Sequence, residues 1–156
     1  MTLSETLLPK LSDWRPAGAG RHSWTHSAAG WAVQLTADKA DSLSCLVWEL
    51  ALARTDPAPA GLTLKTWADG VAARVGGLME PLVVHEIDAA RDEAVLRSTA
   101  PTARADALAY YEVVLHGTDR AVVRRFHGSK AKPGREQVPF ALTHEVLAKL
   151  ADDITG

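Results

Sequence analysis

The stretch Leu62 to Gly77, LTLKTWADGVAARVGG, decides the fold, because it predicts a helix that separates two blocks of strands. Its apolar side chains advance by three, four and four positions, which places them on one stripe of an α-helix. These residues are Leu64, Trp67, Val71 and Val75. One amphipathic helix between two strand-rich blocks indicates that each block contributes strands to a sheet that the helix covers.

The ends of this helix also have sequence signals. Thr63 predicts the N-cap, because a hydroxyl oxygen can accept a hydrogen bond from a first-turn N–H. Gly76 and Gly77 predict the left-handed residue that ends the helix. Gly70 interrupts it at a cost of roughly 1 kcal/mol relative to alanine. It either permits close approach to a strand or is simply tolerated.

The other patterns predict an α+β domain with the order helix, three strands, helix, four strands, helix, in which helices pack on an antiparallel sheet. Residues 42–54 also fit helical spacing, and we assign a strand because leucine and tryptophan alternate there. Residues 101–106 are expected to form a loop and residues 128–137 an irregular segment. The outer helices are predicted at 2–13 and 144–154, and the strands at 21–27, 30–36, 42–54, 82–88, 93–99, 108–116 and 120–127.

Composition predicts an ordinary globular protein formed by one domain, residues 1–156. The chain is 47% hydrophobic and 23% charged with a formal net charge of -2, which favours neither nucleic acid nor membrane as a partner. A single cysteine, Cys45, excludes an intrachain disulfide. The N-terminal residues lack a basic leader and an unbroken apolar run, so we expect a cytoplasmic protein without a secretory signal.

The element order resembles the type III secretion chaperone-like fold, which class I secretion chaperones share with small YbjN-like proteins. Five segments carry the resemblance: the amphipathic first helix, GWAVQLT, CLVWELALA, LKTWADGVAARVGGL and FALTHEVLAKLADDI. It covers nearly the whole chain as an order of elements and not as a motif. The resemblance implies a chaperone or adaptor that holds a segment of another protein, and it implies a homodimer. Because one fold hosts many functions, these implications are expectations.

A non-enzymatic protein-binding module is therefore the leading hypothesis, with no cofactor and no metal. The first helix supplies one candidate surface and the tryptophan-rich strands another. The candidate partner-binding residues are Leu3, Leu7, Leu11 and Trp24. The same side chains could equally be core residues, since apolar stripes usually face the core.

The alternative hypothesis is a small enzyme or ligand-binding domain with a pocket between sheet and helix. His85 is its first candidate, on a strand face shared with Val83 and Ile87, and it could equally be a core histidine or lie at a subunit interface. Glu112 and His116 share another strand face and could act as an acid–base pair. Four residues apart on a strand, they are about 13 Å from each other and so are not expected to touch.

No motif predicts a metal site or a covalent nucleophile. The six histidines include no HExxH pair, and His22 and His26 are again about 13 Å apart if they lie on a strand. Cys45 is interpreted as a small buried strand residue. One basic stretch could recognise an acidic partner or nucleic acid, and otherwise forms a solvated hairpin and loop. Its members are Arg120, Arg124, Arg125, Lys130, Lys132 and Arg135.

Overall fold

The structure, a computed structural model, describes residues 1–99, 102–104, 107–129 and 131–156. These residues form three helices and ten strands, and every strand pairing is antiparallel. The predicted α+β architecture is confirmed. In chain order the elements are α1 (Leu3–Asp13), β1 (His22–Ala28), β2 (Trp31–Ala40), β3 (Ser44–Arg54), α2 (Leu64–Arg74), β4 (Leu82–Asp88), β5 (Glu93–Ser98), β6 (Thr102–Arg104), β7 (Ala107–His116), β8 (Arg120–Ser129), β9 (Arg135–Val138), β10 (Phe140–Thr143) and α3 (His144–Thr155).

The strands form one sheet whose main path is β1-β2-β3-β8-β7-β5-β4. The two predicted strand blocks join where β3 pairs with β8, with Leu50 opposite Val123. The ambiguous run at 42–54 is a strand, as predicted, and it lies at the centre of the sheet. Strands β1 and β4 form the two edges of this path.

Three short strands were missed by the sequence interpretation. Strand β6 pairs with β7 inside the predicted loop 101–106, of which residues 101, 105 and 106 lie outside the described part of the chain. Strand β9 ends the segment 128–137, which was expected to be irregular, and β10 follows it. Strands β3 and β8 pair only between Leu50–Ala53 and Arg120–Val123. Beyond this contact β10 pairs with β3 and β9 pairs with β8. The short strands thus satisfy backbone groups that the diverging long strands leave open.

Alternate strand residues pack under the helices and form the core. On β2 the buried side chains include Val33 and Leu35, whose cross-strand partners on β3 are Leu52 and Leu50. The same face continues across the sheet through Val123 and its partner Val113. All three helices contribute buried residues to this cluster, so they lie on one face of the sheet.

Helix α1 begins as predicted. The Thr2 hydroxyl accepts a hydrogen bond from the Glu5 N–H at 3.2 Å, and the Glu5 carboxylate accepts one from the Thr2 N–H at 2.8 Å. These bonds satisfy N–H groups that have no partner within the helix. The side chains of Leu3, Leu7 and Leu11 are at most 3% exposed. The stripe that was a candidate partner surface therefore belongs to the core.

Helix α2 confirms Thr63 as the N-cap, since its hydroxyl accepts a hydrogen bond from the Thr66 N–H at 3.1 Å. The predicted helix end is wrong. Val75 follows the last helical residue with extended dihedral angles, and neither Gly76 nor Gly77 has a positive φ. The chain therefore leaves the helix without a left-handed residue at either glycine. It continues to Leu78, which is buried.

Gly70 has a different neighbour from the strand that the sequence suggested. A Cβ placed on Gly70 would lie 2.5 Å from Nη1 of Arg74. The Arg74 side chain crosses this position and donates from Nε to the Asp153 carbonyl at 2.7 Å. Trp67 donates from Nε1 to the Ile154 carbonyl at 2.9 Å. Two side chains of α2 thus satisfy carbonyl groups at the C-terminus of α3, where helical partners are lacking.

Strands β1 and β2 form a hairpin with a two-residue turn. Ala29 and Gly30 separate β1 from β2, and both have positive φ, at 53° and 80°. Two such residues form the type I′ turn that fits the twist of paired strands. Strand β2 runs to Ala40, beyond its predicted end at residue 36, and the turn to β3 follows it. There the Asp41 carboxylate accepts hydrogen bonds from two backbone N–H groups, which lower the pKa of Asp41.

Candidate functional site

The sheet face opposite the helices, which we call the open face, carries a row of charged side chains. Glu49 of β3 lies beside Arg124 of β8, and Arg124 Nε donates to Glu49 Oε2 at 3.0 Å. The register places Arg124 opposite Glu112 of β7, and Glu112 opposite Arg97 of β5. Acidic and basic residues therefore alternate across four adjacent strands.

Glu112 is the centre of this row. Its side chain is only 5% exposed, although those of the two arginines that contact it are 35% and 38% exposed. Arg97 Nε donates to Glu112 Oε2 at 2.9 Å, and Arg135 Nη1 donates to the same oxygen at 2.6 Å. Burial of a carboxylate is costly unless it is paired and hydrogen-bonded. The two arginines satisfy that requirement.

Arg135 reaches Glu112 from β9, across the width of β8. Its cross-strand partner is Gly128, which has no side chain to block the path. The guanidinium carbon lies 3.7 Å from the centroid of the Phe126 ring, and Nη1 donates to the Tyr110 hydroxyl at 3.1 Å. An aromatic face attracts a guanidinium group, and the hydroxyl fixes its rotation. The orientation of this guanidinium is thus set by three side chains.

His85 extends the group to the edge strand β4. Arg97 Nη1 lies 3.3 Å from His85 Nε2, and this histidine nitrogen accepts the hydrogen bond because a guanidinium group can only donate. A bulge between Val84 and Glu86 interrupts the alternation of β4. His85 is exposed on the surface, so the placement in the core is wrong. The bulge also puts Val83 and Ile87 on opposite faces, against the prediction that they share one with His85.

We call Arg97, Arg135 and Glu112 the arginine cluster. It holds two guanidinium groups on one carboxylate, whereas the neighbouring Arg124 has Glu49 to itself in the described part of the chain. The hydrogen bond to Glu112 raises the pKa of Arg135, and burial opposes this change. With both arginines charged, the cluster has one positive charge in excess. Glu86 is exposed nearby on the same face, and its negative charge partly offsets this excess positive charge.

The structure brings together two of the three residues of the predicted pocket. His85 and Glu112 are joined through Arg97, as described above. His116 is not part of this group, because its Nδ1 lies 3.2 Å from Oε1 of Glu93 at the other end of the same face. The predicted position between sheet and helix is wrong for Glu112 and His116, since odd-numbered β7 residues such as Val113 face the helices and the even-numbered ones face away. It is also wrong for His85, which is exposed and contacts Arg97 of the open face.

Trp24 lies on the helix side of β1 and is half-buried. Its ring stacks on His26 with centroids 5.7 Å apart and packs near Trp14 at 6.3 Å. His26 Nε2 lies 3.3 Å from the Thr6 hydroxyl of α1. The contacts of Trp24 therefore help to hold α1 against the first strand.

Three arginines of the basic stretch are divided between the two faces, and each contacts a glutamate. Arg124 and Arg135 lie on the open face, where they contact Glu49 and Glu112. Arg125 lies on the helix side, 3.2 Å from Glu80 and with its guanidinium carbon 4.2 Å from the Tyr111 ring centroid. Lys130 lies outside the described residues. Much of this charge is used to bind distant parts of the chain.

The described part of the chain offers neither a metal site nor an activated cysteine. Within the described ranges, no group of three histidine, cysteine or carboxylate side chains is arranged to hold a metal ion. Cys45 is buried, and burial raises the pKa of its thiol to about 11, with Asp41 adding to the rise. Such a thiol is a poor nucleophile near neutral pH. No helix among the described residues is long and apolar enough to cross a membrane.

The sequence interpretation missed Arg97 and treated Arg135 only as part of the basic stretch. A weak signal existed, because Arg97 alternates with the buried Leu96 and so had to face away from the core. Contact with Glu112 depends on the pairing of β5 with β7, and contact with Arg135 depends on the unpredicted strand β9. No family model, curated protein or solved structure matches this chain.

Proposed function

We propose that this protein is a non-enzymatic protein-binding module that holds an acidic segment of a partner on its open face. The arginine cluster carries the proposal, because it presents two oriented, half-exposed guanidinium groups around one buried carboxylate. Guanidinium groups on a rigid sheet are suited to recognise carboxylates, since little side-chain freedom remains to be lost on binding.

Charge supports an acidic partner even though the whole chain has a formal net charge of -2. At the arginine cluster two arginines meet one glutamate, which leaves a local excess of one positive charge that Glu86, exposed on the same face, partly offsets. Complementary charge at an interface chiefly provides specificity and faster association. The chaperone or adaptor role and the cytoplasmic location implied above belong to this proposal.

The proposal is tested by site-specific photo-crosslinking from the full chain. A crosslinking amino acid replaces Gln34, which is exposed on the open face, or Ala73, which is exposed on α2 as the matched control. Each protein is irradiated in lysate of the cells that express it, and the products are identified by mass spectrometry. We expect one partner to crosslink from position 34 and not from position 73. Crosslinking only from position 73, or from neither position, would overturn the proposal.

A homodimer is the second part of the proposal, and the edge strand β1 supports it. Strand β1, HSWTHSA, pairs with β2 through all seven residues without a bulge and contains neither proline nor an acidic, lysine or arginine side chain. The other edge, β4, has a bulge and the charged residues Glu86 and Asp88. These features normally prevent edge-to-edge pairing, and β1 lacks them.

A two-fold axis at Thr25 would pair two copies of β1 antiparallel, with Trp24 opposite His26 of the second copy. Light scattering on a sizing column measures the assembly directly. We expect a mass twice the 16.7 kDa of one chain, falling to that of one chain on Thr25→Pro. Thr118→Pro, in the β7–β8 turn, is the control for the effect of introducing a proline away from β1. A wild-type protein that remains monomeric at all concentrations would refute the dimer.

A further inference from the structure

We propose that Arg97 and Arg135 together bind a single carboxylate group of an acidic polypeptide, with Glu112 as the positioning residue. The inference rests on the proposed function, because it names the chemical group by which the partner is recognised. The site consists of the arginine cluster together with the Tyr110 hydroxyl, at the junction of β5, β7 and β9.

The arginine cluster carries an unbalanced positive charge. Two guanidinium groups that donate to one carboxylate oxygen are held close together, and like charges at such separations repel each other. Glu112 neutralises only one of them. A second carboxylate bound from solvent would neutralise the other and make the cluster electrically balanced, as the Arg124–Glu49 pair already is.

Both guanidinium groups of the cluster have N–H donors that make no hydrogen bond within the described chain. A guanidinium group has five N–H bonds. Arg97 uses Nε for Glu112 and Nη1 for His85, which leaves its Nη2 donors without a hydrogen bond in the described chain. Arg135 uses both Nη1 donors and one Nη2 donor for Tyr110 and Glu112, which leaves Nε–H and the other Nη2–H. Both side chains are more than one-third exposed, so a carboxylate can approach these donors from solvent.

The charge of the cluster favours a carboxylate over a phosphate group as its ligand. Arginine binds both groups through paired hydrogen bonds. The cluster has only one positive charge in excess, and Glu86 is exposed on the same face. A carboxylate carries one negative charge, so Glu112 and Glu86 repel it less strongly than they repel a doubly charged phosphate group, for which the cluster has no second excess cation.

Nuclear magnetic resonance of the arginine side chains in the full-length protein tests this site. The probe is an end-blocked peptide of four glutamates, and the uncharged reference is the matching peptide of four glutamines. We expect the Nε–Hε signals of Arg97 and Arg135 to shift together with the glutamate peptide alone. The Arg124 signal should not move, because its charge is already matched by Glu49.

Two variants separate a specific site from general attraction. Arg135→Lys retains the charge and removes the planar fork, and should weaken peptide binding about tenfold or more, the loss expected for one charge-assisted hydrogen bond. Glu112→Gln removes one negative charge and replaces one of the two carboxylate oxygens that position the arginines by an NH2 group. We expect it to weaken binding as well, whereas a surface that acted only through its net charge would bind the peptide more tightly.

Several results would overturn the carboxylate site. They are the absence of shifts at saturating peptide, equal shifts at Arg124, unchanged affinity in Arg135→Lys, or binding of inorganic phosphate in place of the peptide. Peptide binding at the cluster combined with failure of crosslinking from position 34 would retain the site and refute the proposed partner surface. Crosslinking from position 34 without peptide binding would retain the proposed partner surface and refute the carboxylate site.

Discussion

The two faces of this sheet differ in how their residues find their partners. On the helix side, apolar residues such as Leu35 and Val113 are fully buried beneath three helices. On the open face, charged residues of β3, β5, β7 and β8 neutralise one another in a row. The helix side is held by non-directional burial, and the open face depends on specific pairs.

This difference assigns stability mainly to one face and recognition to the other. The apolar side chains of the helix side are buried and leave nothing for a ligand to contact. The open face, in contrast, retains an excess charge at the arginine cluster. Surface ion pairs contribute little to stability, so charges there can be arranged for a ligand at small cost to the fold. Glu112 is the exception, because it is both charged and buried.

The largest effect is expected from neighbours on β2 that face opposite sides. Leu35→Ala should lower the free energy of unfolding by about 4 kcal/mol, because Leu35 is 0% exposed and the substitution leaves a cavity. Gln34→Ala, on the exposed side, should change it by no more than about 0.5 kcal/mol. Urea denaturation monitored by tryptophan fluorescence measures both. Equal losses would show that the two faces contribute alike to stability.

The two carboxylates of the open face should differ next. Glu112→Gln removes the shared partner of two arginines at a side chain that is 5% exposed, and should cost about 3 kcal/mol. Glu49→Gln affects one pair at a side chain that is 26% exposed, and should cost less than about 1 kcal/mol. The same denaturation assay compares them. If Glu49→Gln proved as costly, burial would not be what distinguishes the cluster.

A smaller effect is expected at the start of α2. Thr63→Ala removes the hydroxyl that accepts from the Thr66 N–H and should cost about 1 kcal/mol. Lys65→Ala, in the same first turn, breaks an exposed pair with Asp69, four residues further along, and should cost about 0.5 kcal/mol or less. Thermal unfolding followed by circular dichroism provides the measurement. A Thr63→Ala protein as stable as the wild type would show that tertiary packing alone fixes this helix end.

The last and smallest effect depends on pH at His144, a buried residue on the helix side. Burial lowers the pKa of His144 from 6.5; Arg15 also lowers it, and Asp41 and the Ser44 backbone oppose the change. The unfolded chain then binds a proton more readily than the folded one. Stability should therefore be complete above pH 6.5 and decrease as the pH falls from there toward the folded pKa.

His144→Gln is the matched variant for this effect. It removes the titrating group, so the decrease in unfolding free energy below pH 6.5 should become shallower, whatever the variant's stability at neutral pH. Urea denaturation at a series of pH values measures the slope. An unchanged slope would assign the acid sensitivity to other groups and would leave burial without a measurable effect on this histidine.

Sequence patterns recovered much of the helix side and little of the candidate site. Local periodicity placed α1, α2, α3 and seven of the strands, because burial on one face leaves a repeat that neighbouring residues reveal. The three short strands have no such repeat, since each has at most four residues and forms where longer strands leave backbone groups open. Glu112 was a candidate, yet its partners were not identified.

The sequence by itself determined the α+β class, the three helices, seven of the strands and the N-cap at Thr63. These features depend on residues a few positions apart. The tertiary structure alone decided that Arg97 and Arg135, which are far apart in the chain, meet on one buried glutamate. That meeting depends on the register of β5 with β7, on the short strand β9 and on the missing side chain at Gly128. Such long-range pairing follows from the packing of the whole sheet, so no local pattern contains it.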